Sequence, residues 1–174
     1  MIEILVAVTI IAIMLAIGVP AMGEFVADQR VRTVASDITA EIALARAKAI
    51  ESSRRVYIEK LGVNWNNGWR IYADVNDNAA YNAGVDLEIK RFDGFPTGTI
   101  YICTLPAFNQ IILRPDGRIS RAGVATANDG IYIVDPMGPG TAATNYKIRG
   151  VQFGLSGRST VLKLNGQPLP CVAN

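Results

Sequence analysis

The chain has 174 residues, half of them hydrophobic, and its 17 basic and 15 acidic residues leave a net charge of +2. No histidine is present, which excludes His-based general acid–base chemistry and His-ligated metal sites. The charges interleave, with no basic block of the kind that marks a nucleic-acid or anionic-lipid surface, and the length suits one globular domain with a separate hydrophobic element.

The first element is an uncharged run from Ile4 to Gly23. At roughly 20 residues it is long enough to span a hydrocarbon core of roughly 30 Å. It opens Met1-Ile2-Glu3, without the basic n-region of a secretory signal. A carboxylate at the mouth of such a run is costly unless paired, so Glu3 needs a cationic partner, and the nearest candidate is a chain-terminal amine. Pro20 removes one backbone donor and clashes with the preceding turn, so the helix is expected to kink or open there. Gly18 makes the same stretch easier to unwind.

The helical period continues past Pro20. Val31, Val34, Ala35, Ile38, Ile42, Ala45 and Ala49 follow three- and four-residue spacing and form one apolar stripe. Arg30, Asp37, Glu41 and Lys48 fall on another face, expected to be solvated or to make salt bridges between subunits. Asp28–Arg32 and Glu51–Arg55 are acid-before-base pairs at i, i+4, which favour helix. The spacing predicts one helix from about residue 2 to 53, nearly 80 Å at about 1.5 Å per residue, whose second half packs its stripe on a sheet.

After Arg55 the period shortens. Val56–Ile58, Trp69–Tyr72, Leu87–Lys90, Ile100–Ile102, Ile111–Leu113, Ile131–Val134, Lys147–Arg149 and Val161–Leu164 are short β-favouring runs. Turn signals bound them at Asn67-Gly68, Pro96-Thr97-Gly98, Pro115-Asp116-Gly117, Ser156-Gly157 and Asn165-Gly166. Seven or eight strands after one long helix read as an α+β fold. The expected division is an apolar helix over 1–23, an amphipathic helix over 24–55 and a β-rich antiparallel head over 56–174. Ala122 to Ala143 is expected to hold a hairpin with a long Gly/Pro-rich loop.

Cys103 and Cys171 form no Cys-x-x-Cys motif. With a membrane-directed N-terminus they read as one structural disulfide tying the C-terminal tail to the domain, the alternative being two buried free thiols. Asp74, Asn76 and Asn78, with Asp86 and Glu88 downstream, offer an oxygen-rich loop of the kind calcium takes. The spacing departs from an EF-hand, since no glycine follows Asn78 and the twelfth position is Val85, so a polar surface loop is the expected reading and no cofactor is required. Trp65, Trp69 and Tyr72 read as core and turn aromatics rather than a ligand platform. Arg114, Arg118, Arg121 and Arg158 sit near turns and would bind nucleic acid only if the fold clustered them. No nucleophile–base constellation or phosphate loop is present, and no enzyme is expected.

The opening Met-Ile-Glu-Ile-Leu-Val-Ala-Val-Thr-Ile-Ile-Ala-Ile-Met-Leu-Ala-Ile-Gly-Val-Pro resembles the N-terminus of type IV pilins and type II secretion pseudopilins. Four later segments narrow the resemblance to the GspH/FimT group. They are Leu44–Ile50 followed by Val56–Ile58, Gly68–Asn76 after Trp65, Leu113–Arg118, and Leu155–Arg158. The resemblance implies a pilin fold and a structural subunit of a type IV pilus or similar filament, assembling helically through its N-terminal helix. It also implies a mature chain starting two residues earlier, with a methylated first residue after removal of a basic leader by prepilin peptidase. Glu3 would then neutralise the N-terminal amine of a neighbouring subunit, and the helix would melt between Ala12 and Pro20 in the filament. The implied partners are further copies, other pilins, the inner membrane before assembly and the pilus machinery. The implied location is the bacterial inner membrane, then an extracellular or periplasmic filament. Two other readings remain: a minor pilin or pseudopilin at a filament tip, and a DNA-binding uptake pilin.

Overall fold

A single helix, α1, runs unbroken from Ile2 to Ser52, close to the bounds that periodicity predicts. The computed structural model describes residues 2–96, 99–120, 130–135, 147–154 and 156–164, with the side chains of 17 and 19–21 outside that description. α1 stays helical across Gly18 and Pro20. The opened backbone expected before Pro20 in a filament is therefore absent from the single chain. Pro20 withdraws one donor from the carbonyl of Ala16, while the turns on either side keep theirs.

The second half of α1 buries Val31, Val34, Ala35, Ile38, Ile42, Ala45 and Ala49, the stripe read from the sequence, with Ala27 one turn earlier. The charged side of the helix is not uniformly solvated. Glu41 is only 5% exposed; one carboxylate oxygen accepts the Trp69 indole N–H and the other lies 2.6 Å from Lys90 Nζ. The two expected i, i+4 pairs give way to other partners. Asp28 binds Arg149, Glu51 binds Lys48 and Arg55 binds Asp77. Tertiary partners and a neighbouring lysine outcompete pairs that gain only a few tenths of a kcal/mol, about 0.2–0.5.

Nine strands follow among the described residues. They are β1 (Val56–Lys60), β2 (Trp69–Ala73), β3 (Leu87–Phe92), β4 (Tyr101–Leu105), β5 (Gln110–Leu113), β6 (Ile119–Ser120), β7 (Gly130–Asp135), β8 (Lys147–Phe153) and β9 (Ser159–Lys163), with a 3-10 turn at Trp65–Asn67. All eight predicted runs become strands; the two-residue β6 was too short to give a periodic signal. They form two sheets, a five-stranded one ordered β3-β2-β1-β5-β6 and a four-stranded one ordered β4-β7-β8-β9. All pairings are antiparallel.

Alternation along the strands sends Val56, Ile58, Ile71, Ile111 and Leu113 of the first sheet into one core with α1. Ile102, Ile131, Ile133, Val151 and Phe153 of the second sheet join the same core. Tyr57 and Tyr72, paired across β1 and β2, take the opposite face and stack with ring centroids 5.2 Å apart. Trp65 and Trp69 are core residues, so the three aromatics considered as a platform lie on two faces. Of the segment 122–143, β7 is described; the remainder of the expected hairpin and loop lies outside the described residues.

Candidate assembly surfaces

The first half of α1 has no stripe. Ile4, Leu5 and Val6 are consecutive, hence spread around the helix, yet all are exposed, as are Val8, Ile10, Ile11 and Ile13. A helix apolar on every side belongs inside a bundle or a membrane. Among the described residues no helix is long and apolar enough to cross a membrane. The uncharged run also includes Ile17, Val19, Pro20 and Ala21, whose side chains lie outside the description. Glu3 stands in the first turn of α1, where the positive end of the helix dipole favours a carboxylate. Gly18 is exposed on the same half.

Where the apolar half ends, three ion pairs clasp α1 to the four-stranded sheet. Glu24 meets Lys147 at 3.2 Å. Asp28 accepts from Arg149 Nη2 through both carboxylate oxygens at 2.9 Å. Arg30 lies 4.0 Å from Asp135. Arg149 and Asp135 are deeply buried, with side chains 8% and 0% exposed. These charges are far apart in sequence, and no local signal links them.

The oxygen-rich loop turns out to be self-anchored. Asp74 accepts the backbone N–H groups of Asn78 and Ala79, at 3.3 and 2.8 Å. Asp86 accepts those of Val75 and Asn82, at 2.8 and 2.6 Å. Asn76 Oδ1 accepts from Asn78 N, and Asn78 Oδ1 from Ala80 N. The oxygens that calcium would need thus hold the loop in shape, including left-handed Asp77 and Ala79 at φ 58° and 61°. Among the described residues no group of three or more acidic, cysteine or histidine side chains could hold a metal ion.

The arginines are gathered by two turns of the same design. In one, Arg114 N donates to Arg118 O and Gly117 N to Arg114 O; in the other, Gly154 N donates to Arg158 O and Gly157 N to Gly154 O. The turns touch each other and pack against Arg46 of α1, whose Nη1 lies 3.5 Å from Gly157 O. Arg114, Arg118 and Arg158 are exposed, and Arg118 sits 3.9 Å from Asp116. Arg54, Arg55 and Arg114 line, together with Asp74 and Asp77, an open groove of about 650 Å³ beyond the C-terminal end of α1. Arg46, within α1, and Arg54 and Arg55, just past its last residue Ser52, were missed as site residues in the sequence; their nearness to a helix C-terminus, where carbonyls favour cations, was the available signal. Arg121 lies outside the described residues.

On the outer face of the five-stranded sheet, burial pushes the Tyr72 phenol well above its ordinary value, and nearby Glu59 adds to the shift. Tyr57 is raised as well, chiefly by burial. Among the described residues the Tyr72 hydroxyl has no hydrogen-bond partner. Cys103, on β4, is disulfide-bonded; Cys171 lies outside the described residues.

A helix clasped to a β-rich head, with these turns in this order, matches a known family. The model of the type II transport protein GspH family covers residues 34–167. The chain belongs to the GspH family. Two crystal structures of the type IV minor pilin FimU from Pseudomonas aeruginosa share its fold, each with a TM-score of 0.50. One is 15% identical over 77% of this chain and 89% of its own; the other is 16% identical over 75% and 91%. At such identities the likeness is one of fold, and the fold is that of a pilin. No curated protein matches the chain. The GspH match begins at Val34, on the buried stripe, so the apolar half of α1 and Glu3 rest on the N-terminal sequence.

Proposed function

We propose that this GspH-family chain is a minor pilin or pseudopilin. Its apolar helix holds it in the inner membrane as a single span and then packs among the helices of other pilins in a pilus-like filament. The observation that carries this reading is one helix, apolar on every side in its first half and amphipathic in its second. The clasp then transmits the orientation of the apolar half to the head. Glu3 pairs with the terminal amine of a neighbouring subunit, and Gly18 and Pro20 let the helix open as it packs. The family and the minor-pilin fold favour a low-copy position over an abundant subunit. Glu3→Ala tests the reading: the variant should keep the melting temperature of the head and lose incorporation into filaments. Wild-type incorporation would refute it.

A second reading, nucleic-acid binding, is favoured by the touching arginine turns around Arg46. It expects an affinity for DNA that falls steeply with salt, since each neutralised phosphate contributes a slope of about −0.9 in log–log form. Replacing Arg114, Arg118 and Arg158 together should flatten that slope; an unchanged slope removes this reading.

A further inference from the structure

The uncovered apolar surface of α1 does not end with the uncharged run. Met22, Phe25 and Val26 are 62%, 59% and 41% exposed, although Glu24 among them already pairs with Lys147 of the head. Met22, Phe25 or Val26, Gln29 and Thr33 follow one another at steps of three and four, so they share one side of the helix. At about 3.6 residues per turn, that side lies roughly half a turn from the buried stripe. The second half of α1 therefore carries apolar residues on the side turned away from its own core.

These residues border an open groove of about 440 Å³. α1 contributes Phe25, Val26, Gln29 and Thr33, and the connection between β3 and β4 contributes Phe95 and Ile100. The Phe95 ring rests against Phe92 and Trp69, with centroids 4.8 and 6.3 Å apart, and Ile100 is buried. The groove is thus formed before any occupant arrives. Among the described residues its one charged lining residue is Arg30, which already lies 4.0 Å from Asp135.

We infer that this groove is a socket in the head for the apolar helix of a neighbouring pilin, which seats between α1 and the Phe95–Ile100 connection. The inference rests on the reading of the chain as a pilin that packs among others. From Phe25 to Val34 the groove follows α1 for nine steps, about 14 Å or two and a half turns. A partner helix of that length without charges finds apolar contact along it and meets no unpaired charge. Lipid is a poor occupant, because Glu24 and Asp28 stand at the same height with Lys147 and Arg149, and hydrocarbon there would strip water from those charges. A strand gains no ladder, since the N–H and C=O groups inside α1 bond within the helix. The apolar half of the same chain cannot fold back into the groove, because it is continuous with the helix that lines it. All the lining residues follow Pro20, so the socket keeps its shape whether or not the helix opens before the proline.

A benzoyl-phenylalanine at position 33 of the full chain, irradiated in cells that assemble the filament, should crosslink to another pilin, and the joined peptide should come from that pilin's apolar N-terminal helix. A crosslink to lipid, to this chain's own residues or to a neighbour's β-rich head, or no crosslink, overturns the inference. Thr33 is exposed, so Thr33→Trp should fill the groove, keep the melting temperature of the head and lower incorporation into filaments several-fold, while Thr33→Val incorporates normally. Thr33→Trp incorporating like the wild type overturns the socket. Should Thr33→Trp lower the melting temperature, the crosslink decides. Glu3→Ala separates the two readings: its failure to incorporate beside a normal Thr33→Trp removes the socket alone, whereas its normal incorporation removes the pilin reading beneath it.

Discussion

A Cβ on Gly157 would lie 2.2 Å from the carbonyl oxygen of Gly117. The two arginine turns meet backbone to backbone, and only a residue without a side chain permits the approach. Gly157 also has φ +78°, where an L-residue costs about 1–2 kcal/mol. Gly157→Ala should therefore lower stability by about 2–5 kcal/mol, the sum of that strain and an overpacking cost of about 1–3 kcal/mol. Gly117 has φ +76°, but its added Cβ would meet only the side chains of Arg46 and Ile50, at 3.0 and 3.1 Å. Gly117→Ala should be the milder change. Urea melts of the two variants check the order, and equal losses would mean the turns are not in backbone contact.

The clasp between Asp28 and Arg149 should be worth more than its neighbour. Removing one partner of a buried pair leaves an uncompensated charge, at a cost of about 3–5 kcal/mol. Asp28 retains some solvent, so Asp28→Ala is expected near the lower end, about 3 kcal/mol. Glu24→Ala, whose carboxylate is 55% exposed, should cost less than about 1 kcal/mol. Denaturation midpoints of both variants test the contrast.

The buried phenols predict alkaline sensitivity. Tyr72 and Tyr57 have folded-state values raised above the ordinary 10.0. In the unfolded chain these phenols ionise first, so above pH 10 the unfolded state binds fewer protons and stability falls as pH rises. The contribution is fully present below pH 10 and is lost toward the raised values. Tyr72→Phe should flatten this decline. At neutral pH it should be neutral or stabilising by about 1 kcal/mol, because it removes an unpaired buried hydroxyl. Thermal melts between pH 7 and 11 check both statements.

The self-anchored loop predicts two results. Ala79 sits at φ 61°, so Ala79→Gly should stabilise by about 0.5–1 kcal/mol. Millimolar calcium should leave the melting temperature unchanged, since a cation would have to displace amides from Asp74 and Asp86. A rise of several degrees would show that the loop opens to bind it.

What was legible in the sequence follows the range of each interaction. The stripe on α1 and the eight strand runs are set by local alternation between residues a few positions apart, and the structure reproduces them. The Gly-containing turns at Gly117 and Gly157 were equally local. Glu41, expected to be solvated or to pair between subunits, instead pairs inside its own head, because a single acid beside an apolar stripe looks the same whether water or a Trp69–Lys90 pair awaits it.

The sequence by itself determined the long helix, its change from all-round apolar to one-sided at the neck, the β-rich head and the resemblance to pilins. Each rests on hydrophobic period, turn chemistry or a contiguous motif. Only the tertiary structure decided which charges clasp the helix, that the arginine turns touch around Arg46, and that Cys103 shares a buried face with Tyr132. Those relationships join residues more than a hundred positions apart, as with Asp28 and Arg149, or depend on strand register. A one-residue slip in register would move every side chain to the opposite face.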